Sequence, residues 1–336
     1  MTGTVAGAPA PASGPGEEGS GPSWTDLRGW FQVGWVDQLG DEAMPISALG
    51  LELVAWLDAS RSPVVADARC PHMGAHLGHG SSLVDGCVRC PLHGWTWAGD
   101  GRNRSIPGTD DTTARRLGVR HSTTYRGALL VWLDPAGSAP DHDPEVELGT
   151  GDGTAEVVVG GHPDTTAVWR STTIHPQVAI EDRVDVDHFA GPHATARPEL
   201  VELDLRAASF TSEVRHGAGT EPGSRISSTV VGVGLSHLTV QFGDQVAEIL
   251  LAVTPVADGR SDVFHTVWCR GADAAMAERA IQAVVPLMRT ELEHDMVIWE
   301  HLVHVPEVSS EHFASAGAIR QVRAWSRRWY GDPERV

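Results

Sequence analysis

Apolar residues fall in short runs over the first half of the chain. Residues 30–36 (WFQVGWV), 51–57 (LELVAWL), 86–90 and 128–133 read as strands, separated by Gly, Pro and Asp turns. Strands this short and this closely spaced predict a small all-β domain. The second half is mixed. Residues 200–215, 226–233, 237–243 and 246–256 alternate or run apolar, as the strands of an antiparallel sheet do. Residues 274–303 have helical composition and spacing, with Pro286 a predicted kink or boundary. Near the end, Ile319, Val322, Trp325 and Trp329 recur at steps of three and four, which predicts an amphipathic helix over 318–330. The fold class is therefore α+β, an all-β domain followed by an antiparallel sheet flanked by helices, with no internal repeat.

Composition sets the limits of this picture. Residues 1–22 are Ala, Gly, Pro, Ser, Thr and Glu with one Met and one Val, too little apolar surface to offset ordering, and predict a disordered tail. The expected division is a first domain over 23–135, a Gly-, Pro- and Asp-rich link over 136–162 and a second domain over 163–336. The chain has 336 residues and a net charge of −19; its basic residues are all Arg. That charge argues against wholesale binding of nucleic acid or anionic membrane. No apolar run approaches the roughly 18 residues that span a bilayer. The first basic residue is Arg28, so a secretory signal is not expected and the expected location is cytoplasmic. Four Cys are too few for a disulfide scaffold.

Chemistry enters at Cys70-Pro-His72 and Cys90-Pro-Leu-His93. Two Cys and two His suit a tetrahedral zinc site. Zinc fingers, however, group Cys with Cys and His with His. Here each half brings one of each, which suits two loops closing on a two-iron cluster, Cys on one iron and His on the other. His ligation of this kind raises the potential to about −150 to +300 mV. The Gly- and Pro-rich flanks, 72–80 and 90–97, can offer backbone N–H groups to the sulfurs. With these motifs, residues 28–108 resemble the Rieske domain of ring-hydroxylating and steroid-type oxygenases. Cys87 and Cys269 read as buried packing residues, and His76 and His79 as loop hydrogen-bonders.

A Rieske domain alone carries an electron, so the second half decides whether chemistry follows. His188 and His193 lie five apart, with Asp185 three before the first. Two His and a distant carboxylate make the facial triad of non-haem Fe(II), with positions left open. Asp295, in the sequence ELEHDMVIWEH, is the candidate carboxylate, with Glu291, Glu293 and Glu300 as competitors. The segment Asp182, Asp185, His188, His193 is similar to the acidic/Asn–x–x–Asp–x–x–His–x₄–His segment of Rieske oxygenases. The segment from Asp295 to Glu300 (DMVIWE) and the closing aromatic stretch 322–330 resemble the 3-ketosteroid 9α-hydroxylase and cholesterol 7-desaturase branch. Asp182 stands where the family often has Asn, and Pro192 precedes the second His.

The resemblance implies a helix-grip-like catalytic domain and a terminal oxygenase. Its cofactors would be a [2Fe–2S] cluster on Cys70, His72, Cys90 and His93 and a mononuclear Fe(II) on His188, His193 and Asp295. It also implies a head-to-tail homotrimer in which Asp185 bridges one subunit's cluster His to the next subunit's iron His. The expected substrates are O₂ and a small apolar polycycle such as a steroid, for hydroxylation, desaturation or oxidative cyclisation. Electrons would come from a separate ferredoxin or reductase, since no G-x-G-x-x-G unit and no plant-type ferredoxin Cys set is present. Residues 61–126 carry nine Arg against five Asp, a locally basic face that would steer an acidic donor or serve solubility alone. A secondary-metabolite tailoring oxygenase, a non-catalytic Rieske carrier and a zinc-stabilised binding protein are the alternatives.

Overall fold

The structure, a computed structural model, describes residues 22–149, 157–217, 224–243, 245–305, 307–309 and 313–332. The expected disordered tail up to residue 21 and the part of the expected link at 150–156 lie outside the described residues.

Eleven strands build the first half. They are β1 (Gly29–Trp35), β2 (Met44–Ala48), β3 (Leu51–Leu57), β4 (Pro63–Asp67), β5 (Ser82–Val84), β6 (Cys87–Arg89), β7 (Thr96–Trp97), β8 (Asn103–Ser105), β9 (Val119–Arg120), β10 (Ser122–Tyr125) and β11 (Ala128–Leu133). They form three small antiparallel sheets, ordered β2-β3-β4-β9, β1-β11-β10 and β5-β6-β7-β8. Three hairpins close through two-residue turns whose residues both have positive φ: Leu49-Gly50, Asp85-Gly86 and Arg126-Gly127. Such turns match the twist of the strands they join. At Gly86 a Cβ would stand 1.9 Å from the Ala59 nitrogen, so only glycine fits.

After the short helix α1 (Pro144–Leu148), capped by Asp143, come β12 (Val157–Gly160), β13 (Thr166–Thr172) and α2 (Pro176–Glu181). Six long strands follow: β14 (Glu199–Leu205), β15 (Ser209–Arg215), β16 (Arg225–Val231), β17 (Leu235–Phe242), β18 (Gln245–Ala257) and β19 (Arg260–Gly271). With β12 and β13, both paired to β19, they make one antiparallel sheet ordered β12-β19-β18-β17-β16-β15-β14. The run over 200–215 is thus two strands, turned at 206–208 by the Arg206 N–H on the Ser209 carbonyl at 2.9 Å. Sequence patterning did not assign β19. Residues 261–269 of this strand are buried on both faces, so its side chains follow no alternation of apolar and polar.

Helix α3 (Ala274–Trp299) starts on the Asp273 cap and runs through Pro286 rather than ending there. Pro286 is exposed, where the lost backbone donor is least costly. Helix α4 (Ala316–Ser326) closes the fold.

The two halves share a core. Trp30, Phe31 and Leu129 pack in one cluster with Phe264, Trp325 and Trp329. The Thr254 hydroxyl donates to the Gln32 carbonyl at 2.6 Å. Arg126, from the β10–β11 turn, meets the fully buried Glu248 of β18 at 2.5 Å, and Arg270 of β19 pairs with the same carboxylate. A second core lies between the sheet and α3, where Leu238, Ile249 and Val267 meet Val284, Leu292 and Met296.

Candidate metal centres

The first centre forms where two loops of one design meet. The Cys70 N–H donates to the Ala75 carbonyl, and the Gly74 N–H returns to the Cys70 carbonyl, both at 2.9 Å. Twenty residues on, the Cys90 N–H donates to Trp95 O at 2.8 Å and Gly94 N–H to Cys90 O at 3.0 Å. Both turns need a left-handed residue, and Gly74 and Gly94 supply it at φ 77° and 70°. Cys70 and Cys90 are thereby buried side by side, each a free thiol. The His72 and His93 rings meet edge to face with centroids 4.8 Å apart, and His72 stacks on Trp95 at 4.0 Å. Arg115 holds one loop by donating to the Pro71 carbonyl at 2.7 Å, a contact between distant residues that no motif announces.

This donor set fits an inorganic group. His72 Nδ1 is buried without a partner among the described residues, an orphan that a metal would satisfy. Burial pushes the Cys70 thiol up, a cost that thiolate ligation offsets. No three of these four donors lie within 4.8 Å of one another. Ligands of one tetrahedral zinc, each about 2.0–2.3 Å from the ion, sit closer than that. The spacing favours a group wider than a single ion. Cys87 is half-buried on β6 rather than buried, and Cys269 is buried. His76 accepts the Gly78 N–H at 3.0 Å and stacks on His79.

The second centre lies between α2 and α3. His175 caps α2 by accepting the Gln177 N–H at 3.1 Å, and Pro176 presets its first turn. The chain then turns through Asp182, Asp185, His188 and His193 toward Asp295, which projects from α3. One nitrogen of each imidazole and one oxygen of Asp295 lie within 4.8 Å of one another. His193 Nε2 is 3.1 Å from Asp295 Oδ1. The His188 Nδ1 bonds the Asp185 backbone carbonyl, which leaves Nε2 free to face the others. Glu291, one turn before Asp295, places Oε2 2.5 Å from His193 Nδ1. Glu293 and Glu300 join no such group among the described residues.

Electrostatics at this centre favour a cation. Burial, reinforced by the charge of Asp182, pushes the Asp295 carboxyl up. The hydrogen bond with Asp295 raises His193 in turn. Asp182 stands 3.6 Å from His188 Nε2, and its own partner is Arg183. The Asp185 carboxylate accepts the Asp187 N–H at 3.0 Å.

Helix α4 clamps the ligand loop. Arg323 grips Glu181 through two hydrogen bonds of 2.8 and 2.9 Å. Asp187 accepts both the backbone N–H and the hydroxyl of Ser315, at 2.8 and 2.9 Å. A cavity of about 290 Å³ opens beside the triad, lined mainly by apolar residues of β15–β19 and α3. Sequence reasoning missed Ser315, Arg323 and the cavity wall. Glu291, weighed there as a rival to Asp295, belongs to the centre as its neighbour.

The model of the Rieske [2Fe-2S] domain matches residues 29–120, and that of the 3-ketosteroid 9alpha-hydroxylase C-terminal domain matches residues 131–330. A probable 3-ketosteroid-9-alpha-monooxygenase oxygenase component of Rhodococcus rhodochrous is 33% identical, over 92% of this chain and 81% of the relative. Cholesterol 7-desaturase of Drosophila melanogaster is 32% identical, over 92% of this chain and 76% of its own. Among solved structures, the NdmA protein of Pseudomonas putida CBB5 with caffeine superposes with a TM-score of 0.68 at 18% identity, over 89% of both chains. Dicamba monooxygenase bound to dicamba gives 0.64 at 15%, over 92% of this chain and 98% of that one. At those identities the structures speak to the fold.

Proposed function

From the premise that the chain belongs to the Rieske oxygenases, with a catalytic domain of the 3-ketosteroid 9α-hydroxylase type, we propose that it oxidises an apolar polycycle such as a steroid. The family's cofactors are a [2Fe–2S] cluster and a mononuclear iron. We assign the cluster to Cys70, His72, Cys90 and His93, and the iron to His188, His193 and Asp295. The observation that carries the reading is the convergence of those last three side chains, from two distant segments, at the mouth of an apolar cavity. When bound, the iron supplies O₂ activation and the cluster supplies electrons one at a time.

The chain's own residues do the rest. Asp185 O fixes the His188 tautomer and Glu291 orients His193. The apolar wall of β15–β19 holds a ring system and keeps water from it. Hydroxylation, desaturation and cyclisation all remain open to this arrangement.

The domain division that goes with this reading is a cluster domain over 23–135, a link over 136–162 and a catalytic domain over 163–336. The link region also contributes α1 and the edge strand β12. A head-to-tail homotrimer would bring the two metals together, with Asp185, whose backbone carbonyl holds His188, as the bridge to a cluster His of the neighbouring subunit. Two observations support it. Met73 and Leu92, within the cluster loops, are 69% and 55% exposed, and Val297, Leu302, Val303 and Val305 form a second exposed apolar group at the end of α3. The location is taken as cytoplasmic, and no described helix is long and apolar enough to cross a membrane. A separate ferredoxin or reductase is the electron donor. Arg61, Arg89, Arg104 and Arg116 leave positive charge on the cluster domain's surface for it.

The test is turnover with a surrogate reductase, isotopically labelled O₂ and a panel of steroids and other polycycles. The reading expects a substrate-dependent product that carries the label, or one desaturated with matching O₂ uptake. A cluster that cycles without oxidising any polycycle would favour the non-catalytic carrier.

A further inference from the structure

On helix α3, Glu291 has His294 and Asp295 as its neighbours three and four positions on. Asp295 belongs to the iron centre. Glu291 and His294 make a second donor set with the same imidazole: one nitrogen of His193, one oxygen of Glu291 and one nitrogen of His294 lie within 4.8 Å of one another. The His193 ring stands between the two sets, with Nε2 3.1 Å from Asp295 Oδ1 and Nδ1 2.5 Å from Glu291 Oε2. The ring is 7% exposed, and its buried Nδ1 makes no directed hydrogen bond among the described residues. His294 is exposed, so an ion can reach this set from solvent.

Two imidazoles and a carboxylate are the three protein ligands of a zinc site with an open fourth position. A Glu and a His three apart on a helix recur as a metal-binding pair. At nitrogen and oxygen donors zinc binds more tightly than ferrous iron, so zinc is the ion this set selects. The two imidazoles of the iron centre differ in how they are held. His188 directs Nδ1 at the Asp185 backbone carbonyl, which fixes Nε2 as its metal-facing nitrogen. Beside His193 Nδ1 stands a carboxylate instead, which can accompany a proton or a metal ion. A neutral imidazole has one free lone pair and one N–H. His193 can therefore serve iron through Nε2 or another ion through Nδ1, and not both while it keeps its proton.

Resting on the iron assignment above, we propose that His193, Glu291 and His294 form a second, alternative site for a divalent ion of the zinc type. The two sites exclude each other because they share His193. When zinc enters, Nδ1 loses its proton and binds zinc, while Nε2 leaves iron and takes up a proton; no electron moves. Zinc would thus unload the iron without touching the cluster.

Calorimetric zinc titration of His188→Ala, which keeps the cluster and lacks an iron ligand, separates the new site from the old. One Zn²⁺ per chain is expected to bind. Adding His294→Ala should lower that affinity at least about tenfold, whereas adding Asp295→Asn should leave it within about threefold. Zinc binding that ignores His294, that is lost with Asp295, or that does not occur overturns the inference. The exclusion is read on the iron-loaded parent, dialysed against buffered Zn²⁺ and analysed for both metals. It is expected to exchange one iron for one zinc with an unchanged visible spectrum. His294→Ala, with three irons per chain at the start, should need at least about tenfold more zinc for the same exchange. Exchange indifferent to His294, or zinc bound with all three irons retained, overturns the inference and leaves the oxygenase reading standing. A parent prepared in zinc-free medium that holds two irons per chain fails the iron assignment first, and the inference falls with it.

Discussion

Cys70, His72, Cys90 and His93 lie within twenty-four residues of chain, and each pair belongs to a single turn. Local spacing of that kind is readable without a structure. Cys90→Ala is expected to abolish the visible and EPR signals of the cluster, and a variant with the full spectrum would remove Cys90 from the ligand set. Asp295, more than one hundred residues beyond His193, was reached through its flanking sequence, with three glutamates in competition. What separates it from Glu293 and Glu300 is which face of α3 turns inward: Asp295 is 8% exposed, and the other two are not buried. Glu291 shares that face and touches His193 from the other side. Glu291→Gln should therefore weaken Fe(II) binding by about 10- to 100-fold while leaving the cluster spectrum intact. Chelator competition measures this, and unchanged affinity would reduce Glu291 to a bystander.

At the scale of elements, the strands announced by apolar runs and the two long helices were legible, and β19 was not. A strand buried on both faces loses the alternation that marks one, and His265 and Thr266 interrupt its apolar run. At Pro286, of the predicted kink or boundary, the boundary is not there: α3 continues through it, anchored on both sides by Val284 and Leu292 against the sheet. Tertiary packing here outweighs the local cost. Pro286→Ala is accordingly expected to raise stability by about 1–2 kcal/mol in denaturant unfolding with an unchanged m value. A loss of stability would mean that Pro286 itself is needed to lay α3 over the sheet.

The whole molecule is held together by what joins its halves. Burial alone would raise the Glu248 carboxyl, but hydrogen bonds from Arg270 and Arg126 outweigh it and hold the group below its ordinary value of 4.5. A depressed carboxylate stabilises the fold fully above the unfolded value, and that stabilisation is lost as pH falls through the lower folded value. Acid unfolding below about pH 4.5 should therefore begin between the two halves. Glu248→Gln, which removes the carboxylate charge beside Arg126 and Arg270, should cost about 3 kcal/mol at neutral pH and flatten that acid limb. A variant as stable as the parent at every pH would show that the shared apolar core alone joins the halves. Assembly is tested at Asp185. Asp185→Asn is expected to keep both metals and a reducible cluster while largely stopping cluster reoxidation by O₂ in a single turnover. A sedimenting monomer with normal reoxidation would refute the bridge and the trimer together. The central claim is that one chain carries two iron centres of different kinds, and metal analysis addresses it most directly. Iron and acid-labile sulfide are counted per chain in the parent and in His188→Ala, beside the visible spectrum. The account predicts three irons and two sulfides in the parent, and two irons with an unchanged cluster spectrum in the variant. Two irons in both proteins, or zinc in place of iron, would contradict it.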